Sequence, residues 1–461
     1  MKKFLKYVTL VLLLFVSISF VFAGCGKDNN SDNNIPASGD RIHGNGGLAV
    51  TKGEYLYFLN GYRSYSDVTK DEDNNKLSNH QNVVRGAIYK TKLSATGDLN
   101  VDEEGKIIPS SVERVVDRIA CFENGGLYIV GDYLYYATPN TQDDRKGNLL
   151  NNYVDYCRVN LNNPSDYDTL YTSEGSVSGG EWAVYPMDGG IYLVINTGKK
   201  IVCVKNGDDA HTMVDGFDSV SLWDNEDSHN LVNHEKYVYY TKDGKINRVM
   251  IGTSNVEPIA SNDSYTLVDT VNDRLYFTKS DKKLYVTTPD FKQLAEGKSL
   301  TQKEYTKTYV VNNYDSEATL NRVLVYQESG EGESVTSKLS YFDNGSWTEV
   351  VVYNGAAITI LEVDGNYVYY LQSNSIYRLD IMSKESTCLT TSTESTLNFS
   401  SAQTMCFDVD GNYVYILNGY AVDANTVYYT ERIDTNHQSP VNTFIGQFVD
   451  GEQPVETEDE E

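Results

Sequence analysis

Histidine, serine and glycine are spaced in this chain in ways that match no hydrolase or nucleotide-binding motif. His229 and His234 lie five residues apart in a loop-like segment, whereas zinc hydrolases place two histidines four apart on a helix. In Gly175–Gly179 (GSVSG) the serines flank the central valine, so no nucleophile elbow is formed. We therefore predict no catalytic residue, no metal site and no cofactor, and we interpret all six histidines as surface residues: His43, His80, His211, His229, His234 and His437.

The second candidate site is a calcium loop formed by closely spaced acidic and amide side chains. Asp71, Asp73 and Asn75 alternate like the first ligands of a calcium loop. However, the sixth position, where such a loop needs glycine, is Lys76, and the twelfth, where it needs glutamate, is Asn82. The segment is therefore better interpreted as a polar loop. The Asp-Gly-Asn triplets that begin at residues 364 and 410 are better explained as turns.

Six cysteines are present, and five of them follow residue 100. Their spacing contains no CxxC pair and no zinc motif, and an odd number cannot pair completely. Cys157 and Cys203 lie in apolar strand-like sequence, where a small thiol packs well. We interpret the five as free thiols rather than disulfides: Cys121, Cys157, Cys203, Cys388 and Cys406.

The sequence predicts an export signal at the N-terminus. Met1–Lys6 contains three lysines and no acidic residue, and an apolar run of about fifteen residues follows, which is short for a membrane span. Phe22-Ala-Gly-Cys25 then resembles the bacterial lipobox, with Phe22 in place of the usual leucine. The resemblance implies cleavage between Gly24 and Cys25 and a diacylglycerol on the Cys25 thiol. The alternative is an ordinary secretory signal followed by a chance cysteine.

The segment behind Cys25 predicts a flexible tether. Residues 26–41 are rich in Asn, Asp and Ser and have no hydrophobic periodicity, so they cannot bury enough apolar surface to fold. After removal of the signal, 35 basic residues face 65 acidic ones, a net charge of −30. This balance argues against nucleic acid as a partner and leaves the lipid as the only expected membrane contact, on the extracytoplasmic face.

The rest of the chain repeats a four-residue motif rich in tyrosine, a residue that occurs 37 times. We name it the tyrosine motif. Most copies follow a Gly-containing turn, and their spacing centres on about 45 residues, which indicates an array of equivalent units. The copies begin at Tyr55, Tyr133, Ile191, Tyr237, Arg274, Val323, Tyr367 and Tyr413.

The tyrosine motif predicts strands that are buried on both faces. It is rich in aromatic and β-branched residues and shows no alternation of apolar and polar positions. Antiparallel sheets of this kind must pack between neighbours like themselves, as propeller blades do. The sequence thus predicts an all-β propeller of eight four-stranded blades over residues 42–448, or of seven if the atypical copy at Val323 does not count. Residues 449–461 form an acidic tail.

Two of the units also carry a family resemblance. Residues 238–249 (VYYTKDGKINRV) and 367–380 (YVYYLQSNSIYRLD) resemble the YWTD-type repeats of receptor propellers. They are still more similar to a bacterial family of surface lipoproteins with receptor-like propellers and no assigned function. The resemblance covers nearly all of the mature chain and implies its fold and location. It implies no binding residue.

Long connections between the second and third strands of some units predict a binding face at that end of the propeller. In the unit at Tyr237 this connection is only Asp243-Gly244, whereas other units place Tyr62–Arg85, Pro139–Asn152 and Gly419–Asn425 there. These units would be neighbours in a closed ring, and long loops on a rigid scaffold often carry function. Leu59-Asn-Gly-Tyr62 and Leu417-Asn-Gly-Tyr420 would each put a tyrosine just beyond a strand. With Arg63 these tyrosines form the candidate binding face: Tyr62, Arg63 and Tyr420.

Three functions are compatible with this sequence. The leading interpretation is a membrane-anchored, non-catalytic module that binds a protein, a peptide or a glycan. The second is a surface polysaccharide hydrolase or lyase that gathers acidic residues over the central channel of the propeller. The third is a structural or sensory partner of another envelope protein.

Overall fold

The computed structural model shows an all-β chain in the residues that it describes. The helical structure among them is one 3₁₀ turn, Pro109–Ser111, and none of them forms a helix long and apolar enough to cross a membrane. The described residues are 42–44, 46–63, 85–103, 107–117, 126–139, 154–173, 182–187, 190–206, 208–222, 236–271, 274–287, 298–299, 307–310, 323–329, 335–343, 346–354, 358–372, 375–389, 407–410, 412–422, 425–435 and 441–444.

Eight antiparallel sheets follow one another along the described residues, and each is a blade with strands A to D from first to last. A short strand, β1 (Ile42–His43), precedes them. Blade 1 contains β2 (Ala49–Lys52), β3 (Tyr55–Arg63), β4 (Arg85–Lys92) and β5 (Val112–Asp117). Blade 2 contains β6 (Tyr128–Val130), β7 (Tyr133–Pro139), β8 (Val154–Asn160) and β9 (Asn163–Thr172). Blade 3 contains β10 (Trp182–Met187), β11 (Gly190–Asn196), β12 (Lys200–Lys205) and β13 (His211–Asp215).

The remaining blades have the same four-stranded plan. Blade 4 contains β14 (Ser219–Ser221), β15 (Tyr237–Lys242), β16 (Lys245–Met250) and β17 (Val256–Ala260). Blade 5 contains β18 (Thr266–Val271), β19 (Arg274–Thr278), β20 (Leu284–Thr287) and β21 (Lys298–Ser299). Blade 6 contains β22 (Lys307–Val310), β23 (Val323–Ser329), β24 (Thr336–Asp343) and β25 (Ser346–Asn354). Blade 7 contains β26 (Thr359–Asp364), β27 (Tyr367–Gln372), β28 (Ser375–Asp380) and β29 (Ser386–Cys388). Blade 8 contains β30 (Phe407–Asp410), β31 (Tyr413–Val422), β32 (Asn425–Asp434) and β33 (Val441–Phe444).

The protein is thus a β-propeller of four-stranded antiparallel blades, as the sequence predicts. Every copy of the tyrosine motif lies on strand B, including the atypical one at Val323, which belongs to a complete blade 6. Eight blades are therefore observed rather than seven. The turns between strands A and B are also confirmed. Gly53, Gly131 and Gly365 adopt φ angles of 60°, 56° and 53°, a range that residues with a Cβ atom disfavour.

The core of the propeller lies between neighbouring blades, and the tyrosine motif fills it from both sides. Val368 and Tyr370 pack into a cluster with Leu324, Tyr326 and other residues of blade 6. Tyr369, the residue between them, packs on the opposite side of the sheet against Val409, Val414 and other residues of blade 8. Successive residues of a strand point to opposite faces, so a run that is apolar throughout is what two buried faces require.

The ring closes between blade 8 and blade 1 without a shared strand among the described residues. The N-terminal strand β1 instead pairs with β6 and adds a fifth strand to the inner edge of blade 2. The contact between the last and first blades brings β32 against β3, and Tyr415 packs into the core of blade 1. Side-chain packing and hydrogen bonds therefore hold the two ends of the chain together.

Candidate binding face

The B–C hairpins of blades 1 and 8 extend beyond the body of the propeller. Strands β31 and β32 have ten residues each, and β3 and β4 have nine and eight, whereas β15 and β16 of blade 4 have six. All of these hairpins begin at the same motif position, so the additional residues lie at the B–C end. At about 3.4 Å per residue, two to four extra residues carry the hairpins about 7 to 14 Å farther.

The predicted position of the candidate residues just beyond the strands is wrong. Tyr62 and Arg63 lie inside β3, and Tyr420 lies inside β31. The pairing moves from Gly61–Gly86 to Arg63–Arg85, so Tyr62 is the extra residue of a β-bulge. Bulges recur next to functional sites because they interrupt the regular ladder of a strand.

The loop predicted at Gly419–Asn425 is likewise a continuation of the hairpin. Gly419 pairs with Tyr428, Tyr420 pairs with Val427, and the ladder runs on to the pair formed by Val422 and Asn425. The hairpin continues because residues 426–430 (TVYYT) are β-branched and aromatic and therefore favour a strand. They pair with residues 417–421 of the preceding strand. Gly419 marks no turn here, because it pairs with Tyr428 inside the ladder.

The bases of the two long hairpins are joined. The Thr430 hydroxyl, which is completely buried, donates a hydrogen bond to the carbonyl oxygen of Leu59. The structure therefore places the strands that carry Tyr62 and Tyr420 on neighbouring blades at one face of the ring. The predicted loops at residues 64–84 and 140–153 lie outside the described residues, as do Gly24, Cys25, the tether and the acidic tail.

At the opposite end of the strands, a cation covers the first tyrosine of the motif. In blade 2 the Arg158 guanidinium lies 4.7 Å from the ring centre of Tyr133, and its Nε and Nη2 atoms donate to Asp168 Oδ2 at 2.9 and 2.7 Å. In blade 4 Arg248 repeats this arrangement, 4.3 Å from the Tyr237 ring. We name the arrangement the Tyr–Arg ladder, and it is worth about 1 kcal/mol or less per ring contact at a partly exposed site.

Strand register creates the Tyr–Arg ladder. The cation on strand C stands directly opposite the third residue of the motif, as Arg158 opposite Tyr135 shows. Its long side chain reaches the first tyrosine, two residues away on the same face of the sheet. The same contact occurs between Lys90 and Tyr55, Arg378 and Tyr367, and Arg432 and Tyr413. The sequence analysis gave these arginines no role, although the spacing of eleven residues that Tyr237–Arg248 and Tyr367–Arg378 share was a usable signal.

In blade 8 the ladder also contributes to ring closure. Arg432 Nη2 donates to the carbonyl oxygen of Gly97 at 3.0 Å, and the Arg432 guanidinium lies 3.6 Å from the Tyr413 ring. Gly97 belongs to the long C–D connection of blade 1, between β4 and β5. This connection was not predicted from the sequence. It reaches over the seam between the last and the first blade.

Burial keeps the core phenols and thiols in their protonated forms. Desolvation raises the pKa of Tyr57 and Tyr239 to about 12. Desolvation likewise raises the pKa of Cys157 and Cys203 to about 12, and both are free thiols in strand C, as predicted. A protonated buried thiol is a poor nucleophile, so these groups serve packing. No cluster of three His, Cys, Asp or Glu residues suited to a metal occurs in the described part of the chain.

Comparisons with known proteins return only distant structural similarity. No family model and no curated protein matches the chain. One of two prolyl endopeptidases is 12% identical with a TM-score of 0.44, over 86% of this chain and 55% of that one. BamB from Moraxella catarrhalis is 9% identical with a TM-score of 0.31, over 57% and 74% of the two chains. The β-propeller domain of Myceliophteria thermophila Cps50 is 9% identical with a TM-score of 0.36, over 64% and 92%.

These proteins resemble the chain in fold alone. The chain spans about half the length of the prolyl endopeptidase. Neither an activity nor a ligand follows from identities this low.

Proposed function

We propose that the protein is a lipid-anchored, extracytoplasmic binding module whose propeller recognises a protein, a peptide or a glycan without catalysis. In this proposal the Cys25 thiol carries the lipid, residues 26–41 act as the tether, and the propeller presents the hairpins of blades 8 and 1. The protein would then belong with the bacterial surface lipoproteins that its repeats resemble.

The observation that carries the binding proposal is the pair of long hairpins. A propeller blade needs only a two-residue connection between strands B and C, as Asp243-Gly244 in blade 4 shows. Blades 1 and 8 nevertheless continue their hairpins beyond that point, in register in blade 8 and with a bulge at Tyr62 in blade 1, and a buried hydrogen bond joins the two bases. Paired strands hold their residues more rigidly than loops do, and rigid presentation lowers the entropy lost on binding.

The anchoring part is tested with Cys25→Ser and with Cys388→Ser as the matched cysteine control. We expect Cys25→Ser either to release the protein from the membrane fraction or to leave its signal uncut, which mass spectrometry of the N-terminus distinguishes. Cys388→Ser should remain cleaved and membrane-bound. Unchanged cleavage and membrane fractionation of Cys25→Ser would contradict lipidation.

The binding part is tested by partner capture from detergent-solubilised membranes. A variant with Tyr62, Arg63 and Tyr420 changed to Ala should lose captured partners while its thermal unfolding stays nearly unchanged. Tyr167→Ala is the control, because this tyrosine is 65% exposed on strand D of blade 2, away from the hairpins. Undiminished capture by the triple variant would place the binding site elsewhere. Turnover of a glycan or a peptide by the purified protein would contradict a non-catalytic role.

A further inference from the structure

Lysines far apart in the sequence are brought together on the B–C face of blades 3, 4 and 5. The B–C turns of these blades, counted with the strand residues that flank them, contain two, two and three lysines, and the turns recur at the blade period. The sequence contains no long run of basic residues, and its net charge of −27 gave no reason to expect a basic surface. The fold gathers them instead, by placing equivalent turns of consecutive blades side by side. We name this region the lysine surface: Lys199, Lys200, Lys242, Lys245, Lys279, Lys282 and Lys283.

Hydrogen bonds make the lysine surface continuous. Gly216 N donates to Lys199 O at 2.9 Å, which ties the blade 3 turn to the connection that enters blade 4. Lys242 Nζ donates to the carbonyl oxygen of Asp215, the last residue of β13, directly before the same connection. Tyr265 N then donates to Gly244 O at 2.9 Å, and this links the blade 4 turn to the connection that enters blade 5.

The aspartates of the same region are largely engaged in holding the turns. Asp218 Oδ2 accepts from Gly244 N at 3.0 Å, and Asp263 Oδ1 accepts from Ser264 N at 2.7 Å. Asp281 accepts from Lys283 N and from the Tyr285 hydroxyl. Asp215 and Asp243 are exposed. With seven lysines and five aspartates the region has a net charge of +2, in a chain whose net charge is −27.

The ammonium groups of the lysine surface are mostly available to a ligand. Among the described residues, only Lys283 of the seven lies within ion-pair distance of a carboxylate, 3.9 Å from Asp281. Lysines at the other end of the blades are paired more closely, with Lys92 2.9 Å from Glu54 and Lys90 3.1 Å from Glu113. Lys199, Lys200, Lys245 and Lys282 are exposed.

We propose that the lysine surface binds a linear, phosphate-bearing polyanion that carries no bases. The ammonium groups lie along an arc of three blades, which suits a chain of repeated charges better than one compact anion. Base stacking needs exposed aromatic rings between the lysines. Among the described residues of this region, Tyr265 is buried, Phe217 packs partly into the core, and the Lys279 ammonium covers the Tyr285 ring at 4.2 Å from the ring centre. The inference does not depend on the hairpins of blades 8 and 1.

The test uses the full chain in an uncharged detergent and inorganic polyphosphate as the probe. Binding measured by fluorescence anisotropy should weaken about 50-fold between 50 and 200 mM salt if about four phosphates are contacted, because each contact releases a counterion. Lys199→Gln, Lys245→Gln and Lys282→Gln together should weaken binding at least tenfold. The control removes the same charge at the other end of the blades, with Lys92→Gln, Lys205→Gln and Lys236→Gln, and should change affinity less than threefold.

Several outcomes would overturn the proposal. These are salt-independent binding, equal losses in the two triple variants, or full affinity in the first. Single-stranded DNA that binds more tightly than polyphosphate at equal charge would indicate a site for nucleic acid. Binding to vesicles of anionic phospholipid but not to polyphosphate would indicate a membrane-docking surface instead.

Discussion

Thr430 in strand C of the last blade donates its hydroxyl hydrogen bond to the Leu59 carbonyl in strand B of the first blade, across 371 residues of sequence. Closing a loop of that length costs conformational entropy, which contacts at the seam must offset. Core packing of Tyr415 and the Arg432–Gly97 hydrogen bond act at the same seam. The Thr430–Leu59 hydrogen bond also lies at the bases of the two long hairpins, so ring closure and the proposed binding face share this contact.

Thr430→Val should therefore destabilise the protein. The substitution preserves the shape of the side chain but leaves the buried Leu59 carbonyl without its donor, which costs about 1–3 kcal/mol. Urea unfolding measures the loss. Thr212→Val, at an exposed position of strand β13, is the control and should change stability by less than about 0.5 kcal/mol. Equal stability of Thr430→Val and the wild type would show that this hydrogen bond does not support closure.

The Tyr–Arg ladder should show measurable coupling. The Arg158 side chain is 11% exposed and Asp168 is 48% exposed, so solvent screens the pair only in part. A double-mutant cycle with Arg158→Met and Asp168→Asn should give a coupling energy of about 0.5–1 kcal/mol. The exposed pair formed by Lys92 and Glu54 should couple less strongly. A coupling energy of zero between Arg158 and Asp168 would show that this ion pair does not stabilise the fold.

Buried tyrosines of the motif should dominate stability. Tyr369 is 1% exposed and packs between blades 7 and 8. Tyr369→Ala should cost about 3–5 kcal/mol, as large-to-small core substitutions do. Tyr167→Ala, at a position 65% exposed, should cost far less. Similar losses for both variants, measured by urea unfolding, would contradict a core built from the tyrosine motif.

The repeat predicted the fold because both are set by local pattern. Seven of the eight predicted copies of the tyrosine motif begin at the first residue of a strand B, and the eighth, at Ile191, begins one residue after the start of β11. Consecutive buried residues such as Val368, Tyr369 and Tyr370 can be satisfied only between two neighbouring sheets. The local pattern therefore predicted both the strands of a blade and their burial between two neighbouring blades.

Long-range partners were the part that the sequence could not supply. The hairpin extends through Tyr420 because that residue pairs with Val427. The prediction ended the strand before Gly419, because glycine was taken to mark a loop. The addition of β1 to blade 2 and the lysine surface both depend on which segments the ring places side by side. Neither is visible in a local window of residues.

Asp364 makes the stability dependent on pH. Burial raises the pKa of this carboxyl, so the folded state disfavours the ionised form. The resulting cost is absent where the carboxyl is protonated in both states, and it develops as the pH rises from the unfolded pKa through the higher folded one. Asp364→Asn should therefore raise the melting temperature at pH 7 and have little effect near pH 3. Asp209→Asn, in an exposed turn, is the control. A lower melting temperature of Asp364→Asn at pH 7 would contradict this assignment.

The proposed binding face is tested most directly by photo-crosslinking in intact cells. A photoreactive amino acid is introduced separately at Tyr62, at Tyr420 and, as the control, at Tyr167. Because the strands that carry Tyr62 and Tyr420 belong to neighbouring blades joined at their bases, we predict that both positions capture the same partner and that Tyr167 does not. Capture of unrelated molecules at the two hairpin positions, no capture at either, or equal capture at Tyr167 would contradict a binding face formed by blades 8 and 1.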